Sequence, residues 1–462
     1  MTDKSKIRLR WRVLAIVGVI CLFGQLPIKA DWRAGASSID ITPSHPVRLS
    51  GNSSRAHESE NSAMPLQAKA LALTWNLDAP VVMLTVDSGG IPAAMRTEVL
   101  ARVAAAGWKL DEARFSLHSS HTHGAPMLPG AQLFQWSAEL TSEEKTHAET
   151  YAKELTMRMT EVVINALNAQ QPAKVDWSIG KVCFALNHRL KIGGQFTNGF
   201  NFGGAEDHSL PVLRVTDLAG KLRVIYSSYA CHCTTVDLGE IHPDWAGYAQ
   251  KELELRFPNI VAMTAIGCGA DQNPYPRNEL KFAKGHGIEL AKEAVRLINL
   301  PMKPVTGPVT CDAKKVMLPF DAMPNVQAWR KRTLDKNNWT AKHANFFVGQ
   351  AEKNIIPAAL PYTVQVWAFA DSLLTINLPG EVVVDYSLRF KKQFDPTRAW
   401  VNAYTNDMPC FIPSQRVWEE GGYEADPSTN FFQQPNRFAA GIEDIIASAV
   451  AELVPAGYKK KR

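Results

Sequence analysis

The sequence predicts an α/β fold of layered mixed β-sheets covered by helices. Three patterns carry that expectation. Paired apolar runs joined by short turns recur as hairpins, which supply antiparallel strand pairs. Long amphipathic stretches with helical spacing are interleaved with those runs, the arrangement of a sheet with helices on its faces. No internal repeat, low-complexity tract or linker divides the chain, so residues 31–462 are expected to form a single domain. With 462 residues, 46% of them hydrophobic, the chain is long enough for one large layered core.

Taken in order, Ser37–Pro43 is predicted as a short strand ending in a turn, and residues 50–62 as a polar loop. Ala68–Trp75 and Val81–Val86 are predicted to pair as a hairpin about the Asn76–Pro80 turn. Pro92–Ala106 places Met95, Val99 and Val103 on one helical face. Thr141-Ser-Glu-Glu144 is a capping box, and the helix behind it buries Ala148, Tyr151, Leu155, Met159, Val162 and Ala166. Leu210–Thr216 and Leu222–Ala230 form a second hairpin, followed by a helix over 244–257, a strand over 260–266 and a helix over about 279–298. Residues 301–357 have mixed patterning. Tyr362–Ala370 and Leu373–Leu378 make a third hairpin, after which Pro379-Gly-Glu381 opens a helix to about Phe394. Trp400–Tyr404 is a strand, a long loop runs to Gln434, and an amphipathic helix spans Arg437–Leu453.

Residues 1–30 read as a secretory signal peptide. Five basic residues from Lys4 to Arg12 precede the apolar run Val13–Phe23, and Ala30 suits a small-residue cleavage rule. The run is shorter than the roughly 20 residues of a spanning helix. A secreted or periplasmic location is therefore expected. Of seven cysteines Cys21 falls in this segment, and Cys183, Cys231, Cys233, Cys268, Cys311 and Cys410 include no CxxC pair. That spacing excludes a zinc ribbon. The net charge of +5 is concentrated near the two ends, at the N-terminal basic cluster and Lys459–Arg462, so no nucleic-acid partner is expected.

Reactive residues gather where apolar strands stop. Arg114-Phe-Ser-Leu-His-Ser-Ser-His-Thr-His-Gly-Ala-Pro126 ends a strand with His118, His121 and His123. On an extended backbone His121 and His123 project from one face. His232 follows the second hairpin, Asp271 and Asn273 follow the strand over 260–266, and Glu381 follows the third hairpin. A single such histidine is more often a hydrogen-bonded structural residue than a ligand. Together, two histidines and a carboxylate from separate elements are the donor set of a catalytic zinc with a position left for water. Cys231 and Cys233 flank His232 and are expected to turn into the core. His118 is read as structural. Asp244 and Asp271 fit either as orienters of the histidines or as caps.

Ile39-Asp-Ile-Thr-Pro43, Ser120-His-Thr-His-Gly-Ala-Pro126, His232 after a strand, Trp245-Ala-Gly-Tyr-Ala249 and Leu378-Pro-Gly-Glu381 occur in this order. From about residue 35 onward the chain resembles the catalytic domain of the neutral/alkaline, non-lysosomal ceramidase family. The resemblance implies a secreted zinc amidase on a mixed α/β fold that cleaves the amide of an N-acyl sphingoid base. By motif, the metal ligands fall on His121, His232 and Glu381, and the second motif histidine is His123. The family's Asn-Arg segment roughly matches Asn187-His-Arg189, and its downstream tyrosine matches Tyr423. Two positions depart. The family's tyrosine ligand falls on Phe411, and the serine of its Gly-Asp-x-Ser-Pro motif falls on Asn273. The β-sandwich domain that follows the family's catalytic domain is not expected here.

The implied enzyme is a zinc-dependent amidohydrolase holding Zn²⁺ on His121, His232 and Glu381. His123 passes a proton, and Arg189 and Tyr423 donate to the oxyanion. Its partner is a small-molecule or lipid N-acyl substrate, with peripheral contact to a membrane surface and no obligate protein partner. Two further readings stay open. One is a zinc hydrolase acting on another N-acyl or ester substrate, and the other a non-catalytic metal-binding or surface protein on the same fold.

Overall fold

The computed structural model describes residues 31–460 apart from 53, 54, 56, 60 and 132–139. The expected signal segment, with Cys21, lies outside the described residues. The first strands are β1 (Trp32–Asp40), β2 (Gln67–Trp75), β3 (Val81–Val86) and β4 (Phe115–Ser119), with helix α1 (Ala93–Ala105) between the last two. Helix α2 (Ser142–Asn168) leads into β5 (Gln171–Lys181), the short strands β6 (Ala185–Asn187), β7 (Arg189–Ile192) and β8 (Gln195–Asn198), then β9 (Ser209–Asp217) and β10 (Leu222–Tyr229). Helix α3 (Asp244–Arg256), β11 (Val261–Ile266), β12 (Gln272–Pro274) and α4 (Leu280–Ile298) follow. The remainder holds β13 (Lys303–Pro304), β14 (Val309–Pro319), α5 (Val326–Arg332), α6 (Asn338–Glu352), β15 (Ala359–Phe369), β16 (Leu373–Asn377) and β17 (Glu381–Val382). It ends with α7 (Val384–Gln393), β18 (Ala399–Asn402), β19 (Phe411–Ile412), α8 (Gln415–Glu420) and α9 (Ile442–Leu453).

The large sheet has the order β11-β10-β9-β5-β1-β2-β3-β4, with β13 paired to β5. Its outermost pairs, β10/β11 and β3/β4, are parallel and the pairs between them antiparallel, so the sheet is mixed as expected. A second sheet runs β14-β15-β16-β18. Strand β2 shows how the layers stack. Ala68, Ala70 and Ala72 pack with Tyr151, Leu155 and Met159 of α2, whereas Leu71 and Leu73 join a core with Trp367, Phe369 and Trp400 of the second sheet. Side chains alternate across a strand, so a strand covered on both faces is apolar throughout. Helices α1 to α4 cover the outer face of the large sheet, and α9 packs on β14 and β15. The result is a helix–sheet–sheet–helix sandwich.

The hairpins and the capped helix form as expected. Thr141 Oγ1 accepts from the Glu144 amide at 3.1 Å, and the Glu144 carboxylate accepts from the Thr141 amide at 2.8 Å, satisfying two free amides of the first turn of α2. Two expectations are corrected. Glu381 does not open a helix: it lies in β17, paired in parallel with β19, and α7 starts at Val384. The final helix begins at Ile442 rather than Arg437, after Gly441 in the left-handed region (φ 89°). Residues 171–181 form a central strand that was not expected, although buried Ala173, Val175 and Trp177 alternate with Lys174, Asp176 and Ser178 in the pattern of a half-buried strand. Among the described residues no helix is long and apolar enough to cross a membrane. The six described cysteines are free thiols, and Cys231 and Cys233 lie in the core as expected.

Candidate active site

Strong twist coils the large sheet until its edge strands β4 and β11 come into contact. The segment after β18 then stitches the sheets together. Its Ala403 amide donates to Ile266 at the end of β11, and the Ser119 amide at the end of β4 donates to the Tyr404 carbonyl, at 3.0 and 3.1 Å. The Tyr404 amide reaches the Gly380 carbonyl at 3.0 Å, drawing in the turn before Glu381. Three strand ends from two sheets thus converge at one point.

His121, His232 and Glu381 meet there. All three are buried, and one ligand atom from each lies within 4.8 Å of the others. The Nε2 atoms of both histidines stand 3.1 Å from Oε2 of Glu381. Each ring is held from behind: His121 Nδ1 donates to the Gly89 carbonyl and His232 Nδ1 to the Gly269 carbonyl, both at 2.7 Å. With Nδ1 of each ring bonded to a carbonyl, Nε2 of both rings turns toward the carboxylate, where a bound cation would take the two Nε2 lone pairs. Two imidazole nitrogens and a carboxylate oxygen are the donor set of a hydrolytic zinc, and the residues present fit that ion.

Local backbone explains the aim. His121 is not on an extended strand: β4 stops at Ser119 and His121 takes a left-handed conformation (φ 54°). The alternation argument for His121 and His123 therefore fails, yet the rings still meet, with Nε2 atoms 3.4 Å apart. The His232 backbone is pinned by its amide to Gln272 and by the Trp245 indole to its carbonyl, at 2.9 and 2.8 Å. Gly269 can bring its carbonyl under His232 because it has no side chain; a Cβ there would lie 2.5 Å from the Cys231 amide nitrogen. Gly51 (φ 85°) lies against the His123 ring, where a Cβ would fall 2.0 Å from Cγ.

Burial would raise the Glu381 carboxyl, but His121 and His232 hold it down to about 2. It is therefore an anion available to a cation. Burial lowers His232, against the pull of Glu381. Burial also drives His123 well below its ordinary value, helped by His121, His232, Arg55 and Arg277.

The site opens into a cavity of about 250 Å³ lined by His121, His123, His188, His232 and Glu381, with a polar group around Asn273 and an aromatic group around Phe411. Phe411 faces this cavity, as does Tyr423, whose ring is 5.4 Å from it. Tyr404 lies tilted beside His121 with ring centres 4.6 Å apart, and its buried hydroxyl has no hydrogen-bond partner among the described residues.

With this geometry in place, the fold can be compared with known proteins. No protein-family profile matches the chain and no curated protein matches it in sequence. Solved structures do match. The crystal structure of neutral ceramidase from Pseudomonas aeruginosa aligns with a TM-score of 0.70 at 18% identity, over 94% of this chain and 76% of that one. A ceramidase complexed with C2 aligns with a TM-score of 0.68 at 17% identity, over 94% and 77%. The chain has a neutral ceramidase-like fold.

On this ceramidase-like fold the residues expected from sequence divide. His121, His232 and Glu381 come together, with His123 and Tyr423 on the same cavity wall. Arg189 is a correction. It does not line the cavity, because its guanidinium is taken up by Glu424, by Glu420 at 3.0 Å and by the Gly421 carbonyl at 2.8 Å. Its buried pair with Glu424 anchors the loop that carries Tyr423. His188, its neighbour, faces the cavity instead and bonds Glu424 at 2.8 Å.

Asp271 and Asp244 are not orienters of the histidine rings. Asp271 accepts from the Val384 amide at 2.8 Å, capping α7, while Asp244 accepts from Thr235, Val236 and Trp245. The orienting acceptors are backbone carbonyls, which no side-chain pattern encodes. His118 is structural as expected, buried with Nε2 2.9 Å from Ser116 Oγ. Sequence reasoning missed Arg277, Phe431 and Phe432 on the cavity wall. The adjacent phenylalanines in an otherwise polar loop were the available signal for the last two.

Proposed function

We propose that this chain is an exported zinc-dependent hydrolase that cleaves an amide bond of an N-acyl substrate. The observation that carries the reading is the convergence of His121, His232 and Glu381, with both imidazoles locked by Nδ1 bonds to backbone carbonyls. The ceramidase-like fold supports the reaction class. A lipid N-acyl substrate follows from the same likeness and from the aromatic wall of Phe411, Tyr423, Phe431 and Phe432.

His121, His232 and Glu381 would hold the ion. Bound zinc supplies Lewis acidity, which brings the pKa of water from 15.7 to about 7. His123, whose Nε2 lies 3.4 Å from Nε2 of His121, is placed to take a proton from water at Nε2, and its depressed pKa favours handing that proton on to the departing nitrogen. The oxygen of water joins the acyl carbon, the C–N bond breaks, and a carboxylate and an amine leave. Tyr423 donates its hydroxyl to the developing oxyanion. Arg189 acts at one remove, by holding Glu424 and hence the Tyr423 loop.

Metal analysis of wild type and His121→Ala, paired with hydrolysis of N-acyl lipids, tests the reading. One zinc per chain in the wild type, lost with activity in the variant, is expected. Unchanged zinc in the variant would refute the site, and zinc with no turnover of any amide would refute the activity.

A further inference from the structure

The cavity wall is chemically divided. Phe411, Tyr423, Phe431 and Phe432 form one connected half, with Phe411–Tyr423 and Tyr423–Phe431 ring centres 5.4 and 5.9 Å apart. Thr234, Asn273 and Asn198 form the other, Asn273 accepting from the Thr234 hydroxyl at 3.3 Å and donating to Asn198 at 3.4 Å. Arg277 stands on the polar half, since the amide of the next residue, Asn278, is tied to the Thr235 carbonyl at 2.6 Å.

Among the described residues Arg277 is a cation without a counterion. Its Nε is buried with no hydrogen-bond partner, and its guanidinium makes no ion pair with any described residue. The acids whose charge it feels, Asp244 and Asp237, are engaged elsewhere. Asp244 accepts from Thr235, Val236 and Trp245, and Asp237 takes the Arg55 guanidinium at 2.8 Å from Nε. Partial burial of an unpaired guanidinium opposes folding, and a carboxylate ligand offsets that cost through two parallel N–H···O bonds. A neutral amino-alcohol head would leave that charge uncompensated.

We infer that the substrate carries a carboxylate on the amine side of its scissile amide, as an N-acyl amino acid does, and that Arg277 binds it while the acyl chain lies along the aromatic half. This rests on the hydrolase reading above and narrows its substrate class. Arg277 is a specificity-determining residue, and the bond broken remains the amide C–N bond.

The test compares N-dodecanoyl-glycine with neutral N-dodecanoyl-ethanolamine on the purified protein, wild type and Arg277→Gln. Expected is a wild-type kcat/KM at least tenfold higher for the acid, carried mainly by KM, with the ratio falling to about one in Arg277→Gln. A second readout needs no turnover: calorimetric binding of N-(dodecylsulfonyl)glycine, which cannot be hydrolysed, against its neutral methyl ester. Binding of the acid should weaken at least tenfold in Arg277→Gln and less in Arg277→Lys, with near-ultraviolet circular dichroism reporting that each variant is folded. If Arg277→Gln does not fold, Arg277→Lys and the wild-type acid-to-ester ratio decide. Equal affinity for acid and ester, or equal turnover of acid and ethanolamide, in the wild type would overturn the inference. Failure of every amide as substrate with the acid still bound selectively would remove the hydrolase reading and leave the carboxylate site standing.

Discussion

Glu381 and Phe411 are direct partners in the two-residue parallel ladder of β17 and β19, and both face the same cavity. The carboxylate that completes the candidate metal site thus has a ring without a hydroxyl beside it. Nothing in the backbone requires that choice, since the ladder uses main-chain groups only.

Phe411→Tyr therefore adds an oxygen at the cavity wall next to Glu381 with little change in packing. The expected outcome is a gain on the order of tenfold in kcat or in zinc affinity, as an added donor at a hydrolytic centre supplies. Steady-state kinetics and competition with a zinc indicator check it. A variant that folds but gains in neither would show that this position no longer participates.

The Gly269 carbonyl sets the tautomer and aim of His232. Gly269→Ala forces the chain away from Cys231, moving that carbonyl off Nδ1. Zinc affinity is expected to fall about 10–100-fold, the usual consequence of losing such a support. Dissociation constants measured against a chelator series provide the check, and an unchanged constant would contradict the orienting role.

Arg189 and Glu424 form a buried pair, each side chain under 5% exposed. Removing the guanidinium leaves the buried Glu424 carboxylate with His188 as its remaining partner, so Arg189→Met should lose about 3 kcal/mol in urea unfolding. Arg189→Met with Glu424→Gln should recover part of that loss. Strict additivity of the two single variants would mean that the residues do not act as a pair.

His118 gives a pH dependence of defined sign. Burial depresses its folded pKa from 6.5 to about 3. Between those values the unfolded chain takes up a proton that the folded protein does not, so stability is lost as pH falls below about 6.5. At 1.36 kcal/mol per unit, lowering pH from 6.5 to 5 costs about 2 kcal/mol from this group. His118→Gln should show a correspondingly shallower decline in metal-free protein. The same slope in both proteins would exclude the assignment.

Much of the fold was legible in the chain because its signals are local. The Thr141 capping box, the helical stripe behind it and the hairpin turns each act within a few residues, so the elements around them form where the pattern places them. Strand β5 was legible but overlooked, since Ala173, Val175 and Trp177 alternate with Lys174, Asp176 and Ser178 along it. Identities of His121, His232 and Glu381 were legible too, each being a reactive residue just past an apolar run.

The sequence by itself determined which donor atoms exist and which strand ends carry them. Only the tertiary structure decided how they are used. The coiling of the large sheet brings its edges together, and Ala403 and Tyr404 join them to the second sheet by main-chain bonds that are the same for any residue. The carbonyls of Gly89 and Gly269 choose the tautomers, Glu420 and Glu424 withdraw Arg189 from the cavity, and the absence of any such partner among the described residues leaves Arg277 facing it. A side chain's type is local information, whereas its partner depends on which distant backbone arrives beside it.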